Sequence, residues 1–507
     1  IDATASTLYP GGILNTGFAT GWAQQRQADA EPAGPSSGQS WAYARIQGGD
    51  ETCAANQALH GEAANLDAKI AANSHYVPAT ANPLDPVTFV HKITVPVFLA
   101  CQWEDEQTGG QCPELVRHFT GTTRKWFTFT NGAHIDSLDP DTFDRWYDFL
   151  ELFVAHRAPA TGSAALHAAA PLIYQSAMGL PSTDSVQLPP DPIQQVPTYQ
   201  AALAAFDRLP EVRVLFDNGA GSGATGQPSS PGDPYPGFEA SFTTYPVPST
   251  TARTWYLGAG GALATDPPAR SGVDGYTSNA HAVPLTDYVG TNTGSGGLWS
   301  NASAWQWDWQ QNPAGTSVSY LTSPLPSDTT VIGGGAVDLW VRSSTQDVDL
   351  QATVSEVRPD GNETFVQNGW LRASDRALSS SGSDFLDAPS TLLDPVPSLM
   401  APASMPANRY VKVVIPLYDE GHVYRAGSRI RVTISAPNGT QPVWSFSQTQ
   451  PSGTGTVSIA YSHAMPSSLV LPVVPGVKVP TPLPPCPSLR NEPCRNYQPT
   501  TNNTSTG

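Results

Sequence analysis

The 507-residue chain has little positive charge. It holds 25 lysines and arginines against 43 aspartates and glutamates, which gives a formal net charge of −18 at pH 7. Proteins that bind nucleic acid neutralise phosphates with clustered Lys and Arg, and this sequence has no basic stripe of that kind. The composition therefore argues against a nucleic-acid partner, and the acidic surface mainly favours solubility.

Long apolar runs are also missing. No stretch of about 18 or more consecutive apolar residues occurs, although a helix that crosses a bilayer needs roughly 20. The sequence therefore predicts no membrane span and no membrane partner. The chain begins at Ile1, without Met and without a signal peptide, and we expect it to be a processed chain or a fragment.

Cysteine is scarce, but four of the five cysteines form two close pairs. Cys101 and Cys112 enclose "QWEDEQTGGQ", and Cys486 and Cys494 enclose "PSLRNEP". Polar spacers rich in Pro and Gly indicate two disulfides, and hence an oxidising, extracellular setting. A zinc site is not predicted, because no Cys-x-x-Cys or paired histidines lie nearby. Cys53 is left without a predicted partner.

The length predicts two or three domains. The first part of the chain alternates strand and helix, which indicates an α/β region. From about residue 240 the pattern changes to short strands of period 2 separated by turns, which is typical of a sandwich or jelly roll. The predicted division is an α/β region at 1–160, a linker with a helix–strand connection at 161–240, a β domain at 241–475 and a Pro/Thr-rich tail at 476–507.

An acid and a histidine follow two successive predicted strands. Asp105 comes shortly after "ITVPVFLACQW", and His134 follows "KWFTFTNGA". The carboxyl ends of parallel strands expose reactive side chains at one edge of a sheet, and acid-then-histidine is the second half of a Ser…Asp…His order. In such a triad the acid fixes the tautomer of the histidine, which acts as a base. Glu104 and Glu106 remain alternatives for the acid.

The nucleophile of such a triad is not evident. We find no Gly-x-Ser-x-Gly motif on a strand-to-helix turn, where a nucleophilic serine would be exposed. Ser317, in "AGTSVSY", is predicted to lie in a strand of the late β region. Cys101 is too close to Asp105 along the chain to approach the histidine from its other side, and it has Cys112 as a predicted partner.

Two sets of segments resemble one known family. "ITVPVFLACQWEDEQTGG" and "KWFTFTNGAHIDSLDP" resemble the acid and histidine segments of the X-prolyl dipeptidyl-peptidase and cocaine-esterase-like α/β-hydrolases. "TWYLGAGGAL", "VSEVRPDGNETFVQNGWLRASDR" and "GHVYRAGSRIRVTISAP" resemble the C-terminal jelly-roll domain of that family. The resemblance covers roughly residues 1–475. It implies the C-terminal half of an α/β-hydrolase domain, with a helical cap at about 16–90, followed by a galactose-binding-like jelly-roll sandwich.

The resemblance also implies roles for individual residues. Asp105 matches the triad acid in the family's Trp-x-Asp motif, and His134 matches the triad histidine. Trp103 would either line the acyl pocket or pack on the sheet. The implied reaction is transfer of an acyl group from an ester or amide to water, with no cofactor and no metal. The family's serine precedes the cap, so we expect it upstream of this sequence or on a second chain.

A different class of function stays open at this point. The chain would then be a catalytically inactive secreted binding protein that uses its jelly-roll domain. The sequence does not distinguish a peptide from an ester substrate. A homodimer is implied only by the resemblance, because members of that family commonly form dimers.

Overall fold

The structure is a computed structural model that describes residues 4–36, 39–57, 65–177, 185–221, 229–286, 288, 306–380, 391–449 and 455–505. It has two sheets, one of four strands near the centre of the chain and one of thirteen strands in the C-terminal half. Among the described helices, none combines the length and the apolar character that crossing a bilayer requires.

Short helices dominate the described part of the first 90 residues. One of them begins at Asn65, whose side-chain oxygen accepts the Ala68 N–H and so satisfies one of the free amides of the first turn. The helices are α1 (Phe18–Asp29), α2 (Ser40–Gln47), α3 (Glu51–Gln57), α4 (Leu66–Ala72) and α5 (Pro78–Ala81).

The smaller sheet carries the two loops that hold the candidate residues. Its strands lie in the order β1 (Val97–Gln102), β2 (Lys125–Thr130), β3 (Val212–Phe216) and β4 (Phe238–Phe242). The first three are parallel and β4 is antiparallel to β3. The loops that follow β1 and β2 therefore leave the sheet at the same edge.

The α/β region extends further along the chain than the sequence suggested. Residues 161–240, predicted as a linker with a helix–strand connection, supply β3 and β4 of the same sheet. They also supply α7 (Ser163–Ala177) and α8 (Tyr199–Phe206). The linker prediction rested on Pro, Ser and Ala content, and this composition did not reveal that the segment returns to the sheet.

One face of the small sheet is covered by helices. The helix α6 (Pro140–Phe153) begins with Pro in its first turn, where a missing N–H is not needed. Aromatic side chains from the sheet and the helices pack together beneath it, with ring centroids 4.7–6.4 Å apart; they are Phe98, Trp126, Phe149, Phe153 and Phe206. Such a cluster fixes the sheet against the helices, because large aromatic rings bury much apolar area.

The β domain is built from long antiparallel strands, with one short parallel pairing. Its longest ladder joins β9 (Thr329–Ser343) to β12 (Val411–Tyr424). Inward-facing Val, Leu and Ile from these and neighbouring strands form one core. The other strands are β5 (Thr251–Gly258), β6 (Ala262–Ala264), β7 (Gly272–Ser278), β8 (Ser317–Leu321), β10 (Asp349–Val357), β11 (Asn362–Arg372), β13 (Arg429–Ser435), β14 (Gly455–Tyr461), β15 (Ser468–Val473), β16 (Cys494–Asn496) and β17 (Asn503–Ser505).

The α/β region and the β domain share buried side chains. A single apolar cluster contains Trp103 and Phe129 from the small sheet together with Ile332 and Val423 from the β domain. The two regions are therefore packed directly against one another, and the second face of the small sheet is covered by the β domain.

The segment 476–507 was predicted as a tail, but its described part, 476–505, is folded. Its strand β16 pairs with β11, and β17 pairs with β7. Residues 488–492, which precede β16, are almost completely buried. A Pro-rich composition favours an open tail, but here polar side chains of the segment find partners inside the molecule, which composition alone does not show.

Candidate active site

The loop after β1 turns tightly around Asp105. One carboxylate oxygen, Oδ1, accepts the backbone N–H groups of Gln107 at 2.8 Å and Thr108 at 2.9 Å. The predicted disulfide between Cys101 and Cys112 is present and closes this loop, with the two Cα atoms 5.8 Å apart. The carboxylate is therefore held by its own loop before it meets any other element.

The second oxygen of Asp105 contacts the histidine. Oδ2 lies 2.6 Å from Nδ1 of His134, which begins the 3₁₀ turn His134–Leu138 after β2. Asp105 is buried, whereas 37% of the His134 side chain is exposed. The two side chains that the sequence singled out thus meet in a short hydrogen bond at the edge of the sheet.

The two neighbouring glutamates hold the backbone of the histidine loop. Glu104 accepts the N–H of Gly132 at 3.0 Å, and Glu106 accepts the N–H of His134 at 2.8 Å. Within the described residues, neither glutamate is hydrogen-bonded to the imidazole ring. Of the three candidate acids, geometry therefore gives the ring contact to Asp105.

The pKa values of this group are coupled through burial and charge. Burial raises the pKa of Asp105, but the charge of His134 and the hydrogen bonds from His134, Thr108 and Gln107 outweigh it and lower the pKa below its ordinary value. Burial lowers the pKa of His134, but the charge and hydrogen bond of Asp105, with the charge of Glu106, raise it to about 9. Each member of the pair therefore stabilises the charged form of the other.

The glutamates shift in the opposite sense to Asp105. Burial and the nearby charge of Asp105 raise the pKa of Glu106 to about 7. Burial and the charge of Glu492 raise the pKa of Glu104 well above its ordinary value. Asp105 is thus the acid of this loop that stays ionised most readily, as an acid that orients a histidine requires.

A cavity of about 480 Å³ opens beside His134. Its wall is mainly apolar and comes from α1, α4, α5 and the residues before α1. The side chains that shape it include Leu8, Phe18, Trp22, Ile70 and Leu84. A volume of this size and an apolar lining with few polar groups are typical of sites for small organic ligands.

His134 is one of the residues that line this cavity. Nδ1 is engaged by Asp105, and within the described part of the chain no hydrogen bond reaches Nε2.

One "GPSSG" string, at residues 34–38, has the letters of a serine nucleophile motif. Its Ser36 is exposed in a loop that follows α1 and not a strand, and residues 37–38 lie outside the described residues. Ser317 lies within β8 of the β domain.

Trp103 was predicted either to line the acyl pocket or to pack on the sheet, and in the structure it is a core residue. Its side chain is fully buried and does not line the cavity. The indole packs against Phe129, with ring centroids 5.2 Å apart, and against the backbone of Gly421, where a Cβ atom would lie 2.4 Å from Nε1. Trp103 therefore packs in the core between the sheet and the β domain and does not contact a ligand in the cavity.

Sequence reasoning missed the contribution of the β domain to the acid loop. Gln441 donates to the carbonyl of Asp105 at 3.1 Å, and Trp444 donates to the carbonyl of Glu106 at 2.7 Å. These partners lie 336 and 338 residues further along the chain, so no local pattern could have indicated them. The β domain thus acts as a support for the loop that carries Asp105.

Over the described residues, no group of three or more His, Cys, Asp or Glu side chains has an arrangement that could hold a metal ion.

Comparison with known proteins places these observations in a family. The model of the X-Pro dipeptidyl-peptidase C-terminal non-catalytic domain matches residues 204–459, about half of the chain. No curated protein sequence matches the chain.

Solved structures share the fold at low identity. A CocE/NonD family hydrolase from Staphylococcus aureus has 16% identity and a TM-score of 0.58 over 93% of this chain and 66% of its own. An aminopeptidase from a marine sediment archaeon, Thaumarchaeota archaeon, has 14% identity and a TM-score of 0.55 over 94% of this chain and 71% of its own. An α-amino acid ester hydrolase has 14% identity and a TM-score of 0.51 over 83% of this chain and 62% of its own.

The likeness to these structures concerns the fold, and the chain spans 66% of the length of the staphylococcal hydrolase. The family match is independent of that likeness and covers most of the β domain together with the last part of the α/β region. The fold is therefore similar to that of a CocE/NonD family hydrolase, and the chain belongs to the family defined by the X-Pro dipeptidyl-peptidase C-terminal non-catalytic domain.

Proposed function

We propose that this chain supplies the acid and the histidine of a serine hydrolase that cleaves an ester or amide. The observation that carries the proposal is the 2.6 Å contact between Asp105 Oδ2 and His134 Nδ1 at the edge of an α/β sheet, beside an apolar cavity. In a triad the acid accepts a hydrogen bond from one ring nitrogen, and the opposite nitrogen serves as the base. The arrangement of this pair supports that division of roles.

The mechanism that follows is acyl transfer. Asp105 keeps the proton of His134 on Nδ1, so that Nε2 accepts the proton of a serine hydroxyl as its oxygen attacks the carbonyl carbon. The imidazolium that forms is stabilised by Asp105 and then donates its proton to the leaving alcohol or amine. A water molecule then attacks the acyl-enzyme as His134 takes its proton, and His134 passes that proton to the serine oxygen as the bond to the acyl group breaks and the acid leaves.

The serine would come from polypeptide outside the 507 residues, either in the same chain or on a second chain. Two observations support this part of the proposal. The chain spans 66% of the length of the staphylococcal hydrolase. Strand β1 is an edge strand in the described sheet and its first four residues are only half-buried, which suits a sheet that continues beyond β1.

The apolar lining of the cavity favours substrates with an apolar acyl or alcohol part. Rings and aliphatic side chains such as Phe18, Trp22 and Ile70 form its wall, and His134 lies at its boundary. We propose that α1–α5 act as a cap over the site and that the β domain is a jelly-roll sandwich. The two disulfides support a secreted location.

Fluorophosphonate labelling of the native material tests the proposal, with intact mass measured on every chain present. We expect a label on a serine outside residues 1–507, and we expect labelling to disappear in a His134→Ala variant. Ser36→Ala provides a matched control that should leave labelling unchanged. If material that includes the upstream sequence takes no label, the hydrolase proposal fails and a binding protein is favoured. A label on a serine within the 507 residues would refute the external nucleophile.

A further inference from the structure

A small loop late in the sequence contacts the residues that flank Asp105 and His134. Residues 486–494 are closed by a disulfide between Cys486 and Cys494, whose Cα atoms are 5.7 Å apart. Ser488 and the residues up to Glu492 are buried between the α/β region and the β domain. Of three successive polar residues in this loop, Arg490 and Asn491 contact the loops that carry the site, and Glu492 contacts the β domain.

Arg490 supports the turn that carries the histidine. Its guanidinium contacts Oδ1 of Asp136 at 2.7 Å, and both side chains are at most 1% exposed. The other oxygen of Asp136 accepts the N–H of Ala133 at 2.7 Å, directly before His134. The backbone of Arg490 is fixed as well, because Asn131 donates to its carbonyl at 3.1 Å. Arg490 thus acts on His134 through the Asp136 turn.

Asn491 supports the loop that carries the acid. Its side-chain amide donates to the carbonyl of Glu104, the residue before Asp105. The amide is itself held, because the hydroxyl of Tyr288 donates to its Oδ1 at 2.8 Å. Asn491 has a φ of +58°, in the left-handed region that Asn adopts more readily than most residues.

Glu492 joins the loop to the β domain. Its carboxylate lies 3.2 Å from Nδ1 of His422, and the other ring nitrogen of His422 lies 3.1 Å from Glu356 on β10. All three side chains are buried. A buried charged group without its partner is costly, so this contact fixes the loop between the two regions.

We propose that the disulfide-closed loop 486–494 is a positioning element for the acid–histidine pair, with Arg490 and Asn491 as positioning residues. Opening the loop would let the Asp136 turn and the Glu104 backbone move, and the 2.6 Å contact would lengthen while the two sheets stay folded. The inference rests on the proposed roles of Asp105 and His134, but the geometry of the pair can be followed without any turnover.

The test is the titration of His134 by ¹H–¹³C NMR, with its signal among the ten histidines assigned from a His134→Ala sample. The variants are Arg490→Lys, Asn491→Ala and the double change Cys486→Ser/Cys494→Ser. Lys keeps the charge of Arg but does not reproduce its two-pronged contact. We expect the pKa of His134 to fall by at least about one unit in each variant, because Asp105 then raises it less. Circular dichroism should show unchanged sheet content.

Arg431→Lys is the matched control, since Arg431 and Glu363 form a pair in the β domain with the same exposures, 1% and 0%. It should leave the pKa of His134 unchanged. An unchanged His134 pKa in folded Arg490→Lys and Asn491→Ala would overturn the inference. Asn491→Ala removes one side-chain amide and is the decisive variant if the others do not fold. If labelling shows no serine nucleophile while the pKa still falls, the positioning stands and the hydrolase proposal alone fails.

Discussion

Replacing Asp105 with Asn should remove the pH dependence that the acid–histidine pair gives to the stability of the protein. Asn has almost the shape of Asp, and its oxygen can still accept the N–H groups of Gln107 and Thr108, but it carries no charge. The pKa of His134, raised to about 9 in the native protein, should fall to about 6.5 or below, because burial then outweighs the remaining charge of Glu106.

The size of the effect follows from the shift. A change from about 9 to about 6.5 is roughly 2.5 units, or about 3.4 kcal/mol at 1.36 kcal/mol per unit. Because 37% of the His134 side chain is exposed and water screens the pair, we expect about half of this, roughly 1.5 kcal/mol. The folded pKa lies above the unfolded one, so the stabilisation is present below about pH 6.5 and is lost as the pH rises to about 9.

Urea unfolding at pH 6 and at pH 9.5 measures this difference. Native protein should exceed Asp105→Asn in free energy of unfolding by roughly 1.5 kcal/mol more at pH 6 than at pH 9.5. The pKa of His422 is also raised, mainly by Glu492 and Glu356 against the effect of burial, but it is common to both proteins and cancels. Asp360→Asn, which removes a carboxylate paired with Arg358, should show no such dependence. If the free energy of unfolding changes equally between pH 6 and pH 9.5 in the native protein and in Asp105→Asn, the reasoning is refuted.

Three further changes test other parts of the site. Replacing Cys101 and Cys112 by Ser should lower the free energy of unfolding by about 3 kcal/mol, which is the value expected for a disulfide that closes a loop of this length. Urea unfolding measures this change, and an unchanged free energy of unfolding would contradict a stabilising disulfide at this position. Gly132→Ala should cost more than about 1 kcal/mol in the same assay, because φ is +138° and an added Cβ would lie 2.2 Å from Oδ2 of Asp136. Trp103→Ala should cost about 3–5 kcal/mol in stability and leave KM of the complete enzyme unchanged, because the side chain lies in the core and not in the cavity wall. A raised KM without a loss of stability would indicate instead that Trp103 lines the pocket.

The local parts of the fold could be predicted because their signals are local. Short apolar segments before Asp105 and His134 predicted β1 and β2, and the Asp-Pro start and apolar spacing of α6 are typical of a helix. Once two parallel strands are placed side by side, the residues that follow them come close together. The choice among the three acids could not be made in this way, because it depends on the path of the loop, which Gln441 and Trp444 help to fix.

The parts that could not be predicted depend on partners far along the chain. Trp103 looked equally suited to a pocket or to a core, and the packing of the β domain against it decides the outcome. The segment 476–507 looked like a tail because its composition is Pro-rich, but Arg490 is buried against Asp136, 354 residues earlier. The limit at residue 160 was wrong for the same reason, since β3 pairs with β2 across a long excursion of the chain.

The contacts of Arg490 and Asn491 also set when the site can be completed. Their partners, Asp136 and the carbonyl of Glu104, are 354 and 387 residues earlier in the chain. At the usual rate of translation, about 5–20 residues per second, roughly 20–70 s separate the synthesis of Asp136 from that of its buried counter-ion. A ribosome-bound chain can therefore form the small sheet and still lack the final support of its acid and histidine. The residues that would perform the chemistry reach their final arrangement only after synthesis has passed Asn491.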